Sequence, residues 1–264
     1  MFFALSSWEL ALVLAGIMFG ATVVGLVAGR SLSRHAETLR EPLGIVQGAL
    51  LTLVGLILAF GLAMAVGRYD ARRAAVVNDA NTIGTAYLRA QTLREPVRSE
   101  SLPLYAQYTD ASIRLSNSVP GSAAAKSAIA DESVLQRRLW GLAGRALDDQ
   151  PTQSAPRLYV ESLNEMIDMQ TTRVSALNNR VPRAILFVEV IGAAVALGLM
   201  ALYLAALSRG VVTVLLAAGL ITLLLYVTFD LDRPARGLIT IPDTALVALR
   251  ASMELPPAAD APER

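Results

Sequence analysis

The 264 residues are 54% hydrophobic and 17% charged, with a mean hydropathy of +0.50, against about 25% charged in an ordinary soluble chain. This is the composition of a membrane protein, and the lipid bilayer is its first expected partner. With no cysteine and a single histidine, His35, the chain has no disulfide scaffold, thiol nucleophile, thiolate zinc site or iron–sulfur centre and little imidazole chemistry. A net charge of +1 names no nucleic acid or other polyanion.

A bilayer core of about 30 Å takes roughly 20 apolar helical residues. Residues 10–29 fill that length. They lack a basic leader and exceed the roughly 7–15 residues of a signal-peptide core, so they read as a retained first span. Gly16/Gly20 and Gly25/Gly29 give it small-residue spacing suited to close helix packing.

The second span runs from Leu43 to Gly67 without a formal charge. Leu56, Phe60 and Met64 stand four apart on it, drifting only about 80° round an ideal helix, so they share a face. Several copies of that face around an axis form an apolar constriction that can gate ions by dewetting. The same spacing equally serves contact with lipid or a neighbouring helix. Gly44 and Gly48 repeat the small-residue spacing, and Gln47 has the chemistry for an interhelical hydrogen bond. Arg68, Asp70, Arg72 and Arg73 follow where the span ends. Arg68 and Arg72 in a ring raise the local anion concentration at a pore mouth, or simply orient the span.

From Arg68 the sequence is rich in helix formers and free of proline until Pro96, so the second span continues as one long helix. Ala80, Ile83, Tyr87 and Ala90 fall at helical spacing on a packing face. Further helices are predicted at about 98–117, 127–148 and 156–180, broken at Pro120-Gly121 and at Asp149-Gln150-Pro151. Leu163, Ile167, Gln170, Val174 and Leu177 form the stripe of the last. No alternating strand pattern occurs, and residues 68–183 read as a helical domain.

Pro182 marks a break before a third span at 184–207. Glu189 lies about 9 Å past Arg183, inside the apolar stretch. A carboxylate there is a candidate functional group, with a buried ion pair or a snorkelling position as the structural alternatives. Only Ser208, Arg209 and Gly210 separate this span from a fourth at 211–229, which forces an antiparallel hairpin. Asp230-Leu-Asp-Arg-Pro-Ala-Arg-Gly237 then reads as a salt-bridged turn. The Pro- and Ala-rich run 255–264 is expected to be disordered.

Arginines near span ends set the orientation. Arg30, Arg34, Arg40 and Arg209 stand on one side. Arg68, Arg72, Arg73, Arg173, Arg180, Arg183, Arg233 and Arg236 stand on the other. This excess puts both termini and residues 68–183 in the cytoplasm, beneath a bacterial inner (plasma) membrane. The fold class is all-α: an integral membrane protein with four transmembrane helices and a helical cytoplasmic domain between spans two and three.

Enzyme signatures are missing: there is no P-loop, GxGxxG, GxSxG or HExxH. No catalytic residue and no cofactor is assigned. Asp230, Asp232 and Glu165 fall short of the six to eight oxygens of a calcium site, so no metal site is assigned either.

Three stretches carry a family resemblance. They are Arg68-Tyr-Asp-Ala-Arg-Arg through Asn78-Asp-Ala-Asn-Thr-Ile-Gly-Thr-Ala-Tyr-Leu-Arg89, Leu163-Asn-Glu-Met-Ile-Asp through Asn179-Arg-Val-Pro182, and Phe229-Asp-Leu-Asp-Arg-Pro-Ala-Arg-Gly237. With the intervening spans they resemble the bacterial bestrophin-like family over most of residues 40–240. The resemblance implies a homopentameric ion channel with cytoplasmic termini, its pore lined by the second span and narrowed by an apolar neck. Leu56, Phe60 and Met64 match that neck, although only one of them is aromatic. The acidic calcium clasp of animal bestrophins is not recognisable here.

The leading expectation is therefore an oligomeric channel for inorganic ions, conducting small anions. The competing expectation is a membrane-anchored helical sensor or scaffold that binds a ligand or partner through residues 68–183.

Overall fold

The computed structural model describes residues 6–32, 36–207 and 210–258. The described residues are helical and contain no strand: α1 (Ser7–Leu32), α2 (Ala36–Ala90), α3 (Val97–Ser116), α4 (Ala123–Asp149), α5 (Ser154–Asn178), α6 (Arg183–Ala206), α7 (Val211–Leu231) and α8 (Thr244–Ser252). Four of the helices are long and apolar enough to cross a membrane. Arg34, His35 and Arg209 lie outside the described residues, as do the side chain of Arg40 and the last six positions of the tail.

Local chemistry sets several helix ends. Before α1, the Ser6 amide donates to Glu9 Oε2 at 2.7 Å and the Glu9 amide donates to Ser6 Oγ at 3.4 Å, a reciprocal cap. Ser122 Oγ accepts the Ala125 amide at the start of α4. Gly210, at φ +79°, takes the left-handed conformation that precedes α7 and that a side chain would strain. Pro182 stands immediately before α6, whose first turn has amides with no helical partner.

The chain divides into two compact units. The first comprises 1–68 and 180–239 and contains α1, the leading part of α2, α6 and α7. Here α1 lies against α6 through Gly25 and Gly29: a methyl group at either position would overlap the carbonyl oxygen of Gly198 or of Leu202. The two numbers rise together, so α1 and α6 run parallel. By contrast Gly44 faces Tyr203 and Gly61 faces Glu189, so α2 runs antiparallel to α6. Gly16, Gly20 and Gly48 meet nothing. Of the three small-residue pairs in the sequence, only Gly25/Gly29 is used in full within one chain.

The second unit comprises 69–179 and 240–264, with the rest of α2 joined by α3, α4, α5 and α8. Its core is built on Ile83, Tyr105, Tyr108, Leu139, Tyr159, Leu163 and Met166. Tyr105 stands edge-on to Tyr87 at 6.2 Å and to Tyr159 at 6.4 Å, the geometry that the ring quadrupole favours. Helix α8 had no counterpart in the sequence reading because nine residues carry too little periodicity. It buries Leu246, and Arg250 Nε donates to Asp110 Oδ1 at 2.9 Å.

Candidate functional site

The feature with functional promise is one face of α2. Val54, Leu58 and Ala65 are buried within the first unit, while Leu56 is 53% and Phe60 60% exposed. On a 3.6-residue helix the two groups point to opposite sides. Met64 is only partly buried, because each four-residue step drifts 40° further round the helix. The exposed face therefore passes through Ala59 and Ala63 as well as Leu56 and Phe60. Beyond the apolar stretch it carries Asp70, Ala74, Asn78, Asn81 and Thr85. That face is exposed among the described residues, apolar within the span and mixed beyond it, where Val77 and Leu88 join the polar side chains.

Arg68 is half-buried and Arg73 exposed, but Arg72 is 1% exposed. Its Nη2 donates to the Asn179 carbonyl at 2.7 Å and its Nε to the Ala176 carbonyl at 3.3 Å. It holds the carbonyl end of α5, where the helix dipole is negative. Within one chain Arg72 therefore lies on the side of α2 opposite Leu56 and Phe60. Gln47 is half-buried and makes no hydrogen bond among the described residues.

Glu189 is 1% exposed, and neither carboxyl oxygen has a hydrogen-bond partner among the described residues. Its head occupies the space left by the missing side chain of Gly61, and a methyl group there would overlap it. An ion pair with an arginine, one of the structural alternatives for this residue, is not formed among the described residues.

The Asp230–Gly237 turn holds backbone as much as charge. Asp230 accepts the amides of Leu238 and Ile239 at 3.0 and 2.9 Å, while Asp232 Oδ1 accepts that of Val181 at 3.1 Å. A side chain at Gly237 would strike the Asp230 carboxylate. The acidic residues and the closing glycine of this motif are required for a chain reversal.

A buried polar cluster in the second unit escaped the sequence reading. Arg173 Nη1 donates to Asp79 Oδ2 at 2.5 Å, and its Nη2 donates to the Ser112 carbonyl at 2.8 Å and to Ser116 Oγ at 2.5 Å. Glu132 accepts from Ser112 Oγ at 2.8 Å and from Gln170 Nε2 at 2.9 Å. Arg173 thus pairs with Asp79, while the Glu132 carboxyl beside them is held by Ser112 and Gln170. Burial pushes the Glu132 carboxyl above the usual carboxylate range, against the lowering effect of its two donors. The available signal was Asp79 and Arg173 falling among apolar residues of their own helical stripes.

Among described residues no group of three or more His, Cys, Asp or Glu could hold a metal ion. The Bestrophin-like domain matches residues 11–246. No curated protein matches the sequence. Crystal structures of a bacterial bestrophin homologue from Klebsiella pneumoniae, in two mutant forms, are similar in fold. One is 12% identical with a TM-score of 0.62, over 90% of this chain and 94% of that one. The other is 11% identical with a TM-score of 0.62, over 90% and 97%.

Proposed function

Because this chain belongs to the bestrophin-like family, we propose that it forms an oligomeric ion channel whose pore is lined by α2, with Leu56 and Phe60 as its neck and Met64 at the edge of that face. The observation that carries this reading is the exposed face of α2. In a single chain it has no covering, and in a ring of identical copies it meets itself round an axis. Within the span that face is apolar and fits a dewetting constriction. Past Gly67 it gains Asp70, Asn78, Asn81 and Thr85 alongside Val77 and Leu88, polar groups that suit a wetted vestibule.

Five copies follow from the family resemblance. Arg68 and Arg73, on the exit side of the span, favour small anions by raising their local concentration. The orientation carried over from arginine placement puts both termini and residues 68–183 in the cytoplasm, beneath a bacterial inner membrane. Glu189 and Gln47 are the polar groups within the spans that can influence the pathway.

Mass measurement in detergent, joined to flux in liposomes, tests the reading. Five copies with salt flux that rises when Leu56 and Phe60 are both replaced by Ala is the expected result. A dimer without flux under any ionic gradient would instead favour an anchored sensor or scaffold.

A further inference from the structure

In the first unit, the membrane unit because it holds the four apolar helices, most of the threonine hydroxyls are satisfied within their own helix. Thr22, Thr52, Thr222 and Thr228 each donate to the carbonyl four residues earlier, at 2.7 to 3.0 Å. Among the described residues Glu189 presents two buried oxygens with no donor. The ionisable side chains of the helices around it stand mostly at the ends of the apolar stretches: Glu9 and Arg30 on α1, Glu41 and Arg68 on α2, Arg183 and Tyr203 on α6, Tyr226 and Asp230 on α7. None of these hydrogen bonds to it. With 1% exposure inside a single chain, it is also out of reach of a neighbouring copy or of lipid.

Magnitudes decide what such a group can hold. A neutral buried carboxyl lacking a partner costs about 1–3 kcal/mol, whereas an unpaired ion costs several or more even after relaxation. A hard cation needs about six oxygens, and a single carboxyl supplies two. A proton needs one.

We propose that the Glu189 carboxyl, seated against Gly61 of α2, is a proton-binding site within the membrane unit, and that release of its proton unseats the carboxyl from α2 and alters conduction. Gly61 is the structural half of the device. Its missing side chain is the seat, and the next residue, Phe60, lies on the exposed face of α2. A carboxylate that has lost its proton must gain water or leave the slot, and both loosen α6 from α2 one residue away from the proposed neck. The effect on flux rests on the channel reading, whereas the proton site does not.

Infrared difference spectra of the reconstituted full chain, recorded from acid to alkaline buffer, read the site without using conduction. A protonated-carboxyl band that disappears on alkalinisation in the wild type and is missing from Glu189→Gln is the expected result. No such band, or the same band change in both proteins, overturns the site. If Glu189→Gln does not assemble, Glu189→Asp retains the acid one methylene shorter and must shift the titration midpoint; an unshifted midpoint overturns the site. In liposome flux, the wild type changes with pH, Glu189→Gln stays at the wild-type acid level throughout, and Gly61→Ala, which evicts the carboxyl, loses the pH response. A pH response unchanged in Glu189→Gln overturns the coupling to α2. A titrating Glu189 band without flux in any protein leaves the proton site standing and refutes the channel.

Discussion

At the residue scale, the second unit rests on a buried Asp79–Arg173 ion pair with the Glu132 carboxyl hydrogen-bonded beside it. Removing one member of such a group costs more than the group contributes, because the remaining charges stay buried. Arg173→Met should therefore lose about 3–5 kcal/mol, read as a lowered denaturation midpoint in detergent, and Asp79→Asn/Arg173→Met should recover part of that loss. Glu132 adds a pH dependence. Its carboxyl is raised in the folded chain, so the folded state binds the proton more tightly than the unfolded one. That contribution is fully present below the ordinary carboxylate range and is lost as pH rises through the folded value. Glu132→Gln should flatten the fall in melting temperature between acid and neutral buffer; an unchanged slope would assign the dependence to another group. The sequence could not display this cluster, since Asp79, Glu132 and Arg173 lie on three helices and only the fold brings them together.

At the scale of elements, the apolar runs and their breakers were legible. Uncharged stretches of about 20 residues leave a helix no other economical solution in lipid, and Pro96, Pro120-Gly121 and Pro182 stand at or beside breaks in the helical run. Which helix face is buried was less legible, because a span that is apolar all round has almost no moment from which to choose a side. Thus Leu56 and Phe60 fall on the exposed face of α2, while Arg72 falls on the buried one. The same limit applies to glycine spacing: Gly16/Gly20 and Gly25/Gly29 look alike in sequence, yet only the second pair meets a neighbouring backbone. Gly25→Leu should abolish the folded monodisperse protein, whereas Gly16→Leu should leave the protomer fold intact; circular dichroism with size-exclusion profiles separates the two. Asp230→Ala leaves the Leu238 and Ile239 amides without their acceptor and should cost about 1–3 kcal/mol, measurable as a lower melting temperature.

At the scale of the whole molecule, the face of α2 that carries Leu56 and Phe60 is uncovered within the first unit. Assembly round that face is the central claim, and the composition of the chain suits a direct test because it contains no cysteine. Single cysteines on α2 can be read without background. In liposomes, a charged water-soluble thiol reagent should block flux through Leu56→Cys and Phe60→Cys within the time that it leaves Val212→Cys, on an exposed face of α7, untouched. Flux that is indifferent to the reagent at Leu56→Cys and Phe60→Cys, or equally blocked at Val212→Cys, would contradict a pore lined by α2.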